Sequence, residues 1–104
     1  MNKQITIGIK EPGKSWHFRE AEDALPAYQK IVGGYIQLGY STPGGILIFC
    51  NEEGKLQGLA PNLSLPYDTI VGTVFAVRSD EEGEFCSLTG EDIITLSASS
   101  IQTI

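Results

Sequence analysis

The chain has 104 residues, with thirteen Asp and Glu against seven Lys and Arg for a formal charge of −6, and twelve glycines. That length suits one domain spanning 1–104 with one modest core and leaves no room for a separate catalytic module. The basic residues are scattered from Lys3 to Arg78, which excludes the basic stripe that direct nucleic-acid binding draws on.

No stretch approaches the roughly 18 apolar residues of a membrane span, so no membrane partner is expected. Cys50 and Cys86 sit in "ILIFC" and "EFCSL" without a secretory signal or repeated Cys spacing. The expectation is a cytoplasmic protein with reduced thiols.

In "QITIGIK", residues 4–10, Ile5, Ile7 and Ile9 alternate with Thr6, Gly8 and Lys10, which predicts a strand with one buried face, stopped by "EPG". "SWHFRE", residues 15–20, alternates weakly and reads as a short strand or an irregular approach to a helix. Ala24, Leu25, Tyr28, Ile31 and Val32 then follow the spacing of one helix stripe. A start near Asp23 puts Pro26 in the first turn, where its missing N–H costs little, and Gly33 and Gly34 supply the stop.

"GYIQLGY" and "ILIFCN" form a predicted antiparallel hairpin around "STPGG", with the second strand apolar on both faces and therefore central. "EEGK" reads as a tight turn into a short strand at 56–59, and "APNLSLPYD" as a loop in which Asn62 suits an Asx turn. "TIVGTVFAVRS" is the strongest strand signal, with Gly72 placed for a bend or a close backbone approach. "DEEGEF" makes another acidic turn before a last strand, "FCSL". Thr89 caps a short C-terminal helix with Asp92 three residues on, and the tail after Ser97 frays or adds an edge strand. The sum is an α+β fold: an antiparallel or mixed sheet of about five strands, one crossing helix after the first strand, and a short C-terminal helix.

The segments "YQKIVGGYIQL" (28–38), "NEEGKLQGLAPN" (51–62), "DTIVGTVFAV" (68–77) and "DEEGEFCSLTGEDI" (80–93) resemble the domain of unknown function 3846 family of small bacterial and phage proteins. The resemblance implies a setting in phages and mobile elements of Gram-positive bacteria, sometimes near genes that counter host defence. It implies no activity and no catalytic set. It does mark Asn51, Glu52, Lys55, Pro61 and Asn62 as a candidate surface.

Chemistry finds little purchase. His17 is the sole histidine, and no CxxC or HxxxH spacing accompanies it, so neither a metal nor a cofactor is expected. The two cysteines sit in apparent strands, where small buried thiols are ordinary. Glu52–Glu53 and the acids from Asp80 to Glu84 occupy turns, which rarely supply the desolvation that splits two carboxyl pKa values. Gly13-Lys14-Ser15 lacks the Gly-rich approach of a phosphate loop.

No catalytic residue is assigned, and the expected class is a non-enzymatic interaction protein, such as a modulator of a host protein with a basic surface. Trp16 beside Arg19, Tyr35 and Tyr67 are candidate contacts, because such residues combine broad area with a polar handle. Trp16 and Phe18 equally suit a role closing one end of the core. The alternative function is a small-molecule or nucleotide-sequestering module using Arg19, Lys55 and Asn62, with a pocket formed between protomers. Homo-oligomers are open to any small sheet whose edges a symmetric partner can cover.

Overall fold

The computed structural model describes residues 3–98 and the backbone of 102–103. Its elements in chain order are β1 (Gln4–Lys10), β2 (His17–Glu22), α1 (Leu25–Val32), β3 (Ile36–Ser41), β4 (Ile46–Asn51), β5 (Pro61–Ser64), β6 (Thr69–Val71), β7 (Val74–Ser79), β8 (Phe85–Cys86), α2 (Gly90–Ser97) and β9 (Gln102–Thr103). The α+β class holds, and the strands divide between two sheets. The larger runs β2-β1-β7-β4-β3 with β8 beside β7, and the smaller runs β6-β5-β9. All pairings are antiparallel.

The weak 15–20 segment is the edge strand β2, zipped to β1 from Gln4↔Glu22 to Ile9↔His17, so the crossing helix follows the second strand rather than the first. Pro26 lies in the first turn of α1, and Gly33 ends the helix in the left-handed region at φ 80 with its N–H on the Gln29 carbonyl. α2 begins at a capping box: the Thr89 hydroxyl accepts from the Asp92 N–H, while the Asp92 carboxylate accepts from the Thr89 N–H.

Two corrections concern the middle of the chain. Residues 56–58 form turns and Leu59 no strand, and the expected loop carries β5 instead. Likewise "TIVGTVFAVRS" is two strands in two sheets, β6 and β7, broken at Gly72. Gly72 holds φ +78, and a Cβ there would lie 2.7 Å from Leu59 Cδ1, so glycine is required twice over.

The larger sheet is covered on both faces, because alternate residues of its central strands enter different clusters. Phe75 and Val77 join Ile5, Ile7, Ile9, Tyr28 and Val32 under α1. Val74 and Ala76 join Ile46, Ile48, Leu63, Ile70 and Leu96 under the small sheet and α2. On the α1 side the Tyr28 ring stacks on Phe75 at 4.7 Å, Phe49 stacks on the same ring at 5.2 Å, and Phe85 packs edgewise on Tyr28. The Tyr28 hydroxyl donates to Asp23 Oδ1 at 2.6 Å; burial first, then this carboxylate, push the phenol well above its ordinary pKa.

Double coverage corrects the reading of β1. Gly8 and Lys10, assigned to the solvent face, are buried. A Cβ on Gly8 would lie 3.0 Å from the Phe18 ring and 3.2 Å from Trp16, so the missing side chain lets both rings lie against β1. Lys10 is 0 % exposed. Its Nζ donates to Asn62 Oδ1 at 2.6 Å and reaches the Glu11 carbonyl at 3.5 Å. Asn62 Nδ2 in turn donates to the carbonyls of Lys10 and Gly72, both at 2.8 Å.

At the opposite edge the β3–β4 register slips between Leu38 and Tyr40, so that Leu38 opposes Phe49 and Tyr40 opposes Ile48. The bulge moves β3 from one covered face to the other. Ile36 packs under α1, whereas Tyr40 packs under the small sheet.

Two measurements test the Lys10–Asn62 brace. Asn62→Ala removes all three bonds and leaves a buried amine with only its long contact to the Glu11 carbonyl, so urea denaturation is expected to show a loss of about 3 kcal/mol. Burial lowers the Lys10 pKa below its ordinary 10.5. The unfolded chain therefore retains a proton that the folded chain gives up, and stability is expected to rise with pH through the window just below 10.5. That component of the rise is expected to vanish in Lys10→Met when the two proteins are melted across the same pH series.

Candidate functional site

The turn after β4 is built around Asn51. Its Oδ1 accepts from the Glu53 N–H at 2.8 Å, and its Nδ2 donates to the Val32 carbonyl at 3.2 Å at the end of α1. The amide therefore closes the turn and satisfies a helix carbonyl that has no partner within the helix. A Cβ on Gly34 would lie 2.9 Å from that amide nitrogen. Beside it, Glu52 N–H donates to the Tyr35 carbonyl at 2.8 Å, which ties the turn to the start of β3. Lys55 Nζ forms an ion pair with Asp68 Oδ1, joining the turn to the loop before β6.

Between these parts lies a cleft of about 280 Å³ lined by Leu38, Cys50, Glu52, Lys55, Leu56 and Asp68 among others. A Cβ on Gly39 would lie 3.0 Å from Ile70 and 3.2 Å from Cys50 Sγ, so the bulge glycine lets β3 approach the cleft floor. Of its lining, Leu38 is 48 % exposed and Leu56 86 %; Tyr35, whose carbonyl holds the Glu52 N–H, is 66 % exposed, and Tyr67, next to Asp68 in the chain, is 99 % exposed. Glu52 and Glu53 are exposed beside them. The Lys55 hydrogen bond and the Thr69 N–H hold Asp68 below the usual carboxylate range. Burial, with Asp68 adding to it, pushes the Cys50 thiol up and keeps it protonated at neutral pH.

The candidate residues thus fall into three places. Glu52 and Lys55 line the cleft at the β3 end, with the Tyr35 carbonyl bonded to Glu52 and Tyr67 one residue before Asp68, the partner of Lys55. Arg19 is exposed on β2, at the other edge of the larger sheet, and donates to the Glu20 carbonyl at 3.2 Å. Trp16 packs against the core beside Gly8, and its buried Nε1 has no partner among the described residues. Pro61 is exposed on β5. Asn51 and Asn62 are corrections to the expected surface: at 5 % and 0 % exposure, both spend their amides on internal bonds. Arg19, Lys55 and Asn62 accordingly do not converge within one chain.

Leu38, Leu56 and Asp68 belong to the site and escaped the sequence reading. Leu56 carried a usable signal, a large aliphatic side chain set in the polar run "NEEGKLQG". Leu38 carried none, since its spacing from Ile36 matches that of a core position.

A second cleft, about 340 Å³, opens between the β3–β4 loop and α2, and its lining includes Tyr40, Thr42, Arg78, Thr89, Asp92 and Thr95. Arg78 grips Asp92 through two bonds, Nε to Oδ2 at 2.8 Å and Nη2 to Oδ1 at 2.6 Å. This fork, reinforced by the Thr89 N–H, holds the Asp92 carboxyl down at about 2. No group of three or more His, Cys, Asp and Glu side chains gathers to hold a metal among the described residues. No helix among them is long and apolar enough to cross a membrane.

These features define an antiparallel two-sheet α+β protein with an acid-flanked apolar end and a separate cleft beside its C-terminal helix. The chain belongs to the family described as Domain of unknown function (DUF3846), which it matches over residues 5–99. No curated protein and no solved structure matches it.

Acid titration tests the Arg78–Asp92 fork. Because the folded carboxyl lies below its ordinary 3.8, its contribution is complete above that value and is lost as pH falls toward about 2. Wild type is expected to lose about 1–2 kcal/mol more than Asp92→Asn across that interval, read from urea midpoints at each pH.

Proposed function

We propose that this chain is a non-enzymatic interaction protein that docks a partner protein at the β3 end. The observation that carries this reading is a cleft lined by exposed Leu38 and Leu56 beside Glu52, with two further exposed large side chains on its framing segments, Tyr35 bonded through its carbonyl to Glu52 and Tyr67 next to Asp68, all four at least 48 % exposed. Exposed apolar groups gathered at one place mark interaction sites, whereas scattered ones need no explanation. Lys55 and Asp68 neutralise one another, so the neighbouring glutamates leave the surface net acidic. Its complement is a partner surface with an apolar centre and a basic rim. The phage and mobile-element setting implied by the family resemblance suits a modulator of a host protein in the cytoplasm.

The edge strand adds a second kind of contact. β3 has neither a charged residue nor a proline, whereas the opposite edge, β2, carries His17, Arg19, Glu20 and Glu22. Charges on an edge discourage strand addition, so β3 is the less protected edge. A second copy of this chain is a competing occupant, and sedimentation across a concentration series separates it from a foreign partner.

The test compares wild type with the double variant Leu56→Ser, Tyr67→Ser as bait for host lysate, followed by binding of the purified partner. Both side chains are exposed, so stability is expected to change by less than about 0.5 kcal/mol per site. Partner affinity is expected to fall at least about tenfold and to weaken with salt. Unchanged affinity in the double variant, or no specific protein retained by wild type, overturns the proposal.

A further inference from the structure

The cleft beside α2 has a different chemistry from the β3 end. Three elements meet there: the 42–45 loop, the end of β7 at Arg78, and α2. The Arg78 guanidinium is fixed, because Nε and Nη2 are both committed to Asp92. Its third nitrogen, Nη1, has no hydrogen-bond partner among the described residues. That nitrogen lies against Gly45, at φ +96, where a Cβ would stand 2.7 Å away. The loop glycine therefore makes room for an arginine already locked in direction, so a ligand meeting it incurs little of the ordering cost of a free side chain.

Most of the other polar side chains around the cleft are hydroxyls, able both to donate and to accept. Thr42 Oγ1 accepts from the Ile46 N–H at 3.0 Å and Thr89 Oγ1 accepts from the Asp92 N–H at 3.1 Å, so each hydroxyl keeps a proton to give. Tyr40 and Thr95 add two more hydroxyls, and Pro43, Ile46 and Leu96 supply apolar wall. The charged groups are Arg78, Asp92 and Glu91, a net single negative charge. Such a site repels phosphates and suits a neutral ligand that offers both acceptors and donors. Its volume of about 340 Å³ lies at the low end of the roughly 300–1,000 Å³ range for ligand sites, which limits the occupant to a small one.

We propose that this cleft binds a neutral, planar, carbonyl-bearing heterocycle of nucleobase or nucleoside size, with a ring carbonyl on Arg78 Nη1 and the ring against the apolar wall.

The test is thermal denaturation and calorimetry of the full chain with uridine, thymidine and guanosine, their 5′-monophosphates, and glucose as an acceptor-bearing but non-planar control. At least one nucleoside is expected to raise the melting temperature at millimolar concentration, as ligands selective for the native state must. Its monophosphate is expected to bind about tenfold more weakly, the effect of one repelled charge at this scale. Thr95→Phe, placed on an exposed position of α2, fills the cleft without touching the Arg78–Asp92 fork and is expected to abolish the shift. Arg78→Lys keeps a cation for Asp92 but deletes Nη1, and it is expected to weaken binding at least about tenfold. The proposal is overturned by no response to any nucleoside in wild type, by equal binding of glucose or the monophosphates, or by undiminished binding in both variants.

Discussion

A lysine without a carboxylate partner sits at the centre of this fold, and the relation between its two sheets depends on how that lysine is satisfied. Lys10 ends β1 in the larger sheet, Asn62 lies in β5 of the smaller one, and Gly72 lies where the chain passes from one sheet to the other. The Asn62 side chain joins the other two through three hydrogen bonds. A buried donor or acceptor left without a partner costs more than a typical bond contributes, so the brace acts mainly by making other arrangements expensive. A small sheet displaced by one residue would leave an amine, two carbonyls and an amide dry and unpaired.

The motif "NEEGKLQGLAPN" is bounded by two asparagines with inward roles. Asn51 fastens the turn to the end of α1, and Asn62 fastens β5 to β1. The residues between them are anchored at both ends, and Gly54 fits where a Cβ would meet Val71 at 2.9 Å. Leu56 is therefore displayed from a braced turn, and a partner binding there would need less ordering than a free loop requires. What first reads as a polar surface loop is a frame holding one apolar group outward.

The local grammar of the chain was legible wherever a single element settles its own form. The proline-started, glycine-ended α1 and the Thr89–Asp92 capping box follow from a few adjacent residues. Long-range coverage was not legible. Gly8 and Lys10 alternate with three isoleucines as solvent-facing residues would, and nothing in that alternation announces that the Trp16 and Phe18 rings lie over Gly8 or that Asn62 of a second sheet meets Lys10. The same omission hid β5, because a strand containing Pro61 and Asn62 looks like a loop until its partners β6 and β9 are known. At the candidate site, Tyr35, Glu52, Lys55 and Tyr67 were readable as exposed groups of the right chemistry, whereas the joining of their segments depends on the Glu52–Tyr35 backbone bond and on the Lys55–Asp68 tie across thirteen residues.

The bulge at Gly39 limits what could add to this edge of the sheet. An uncharged outer strand invites copies of itself, and a straight one could template an endless ladder. Here the strand turns its side chains over halfway along, so an added strand could keep its own pleat in phase with only part of the row. Any ladder started at this margin would run out of matching positions within a few residues, which favours a finite complex over a fibre.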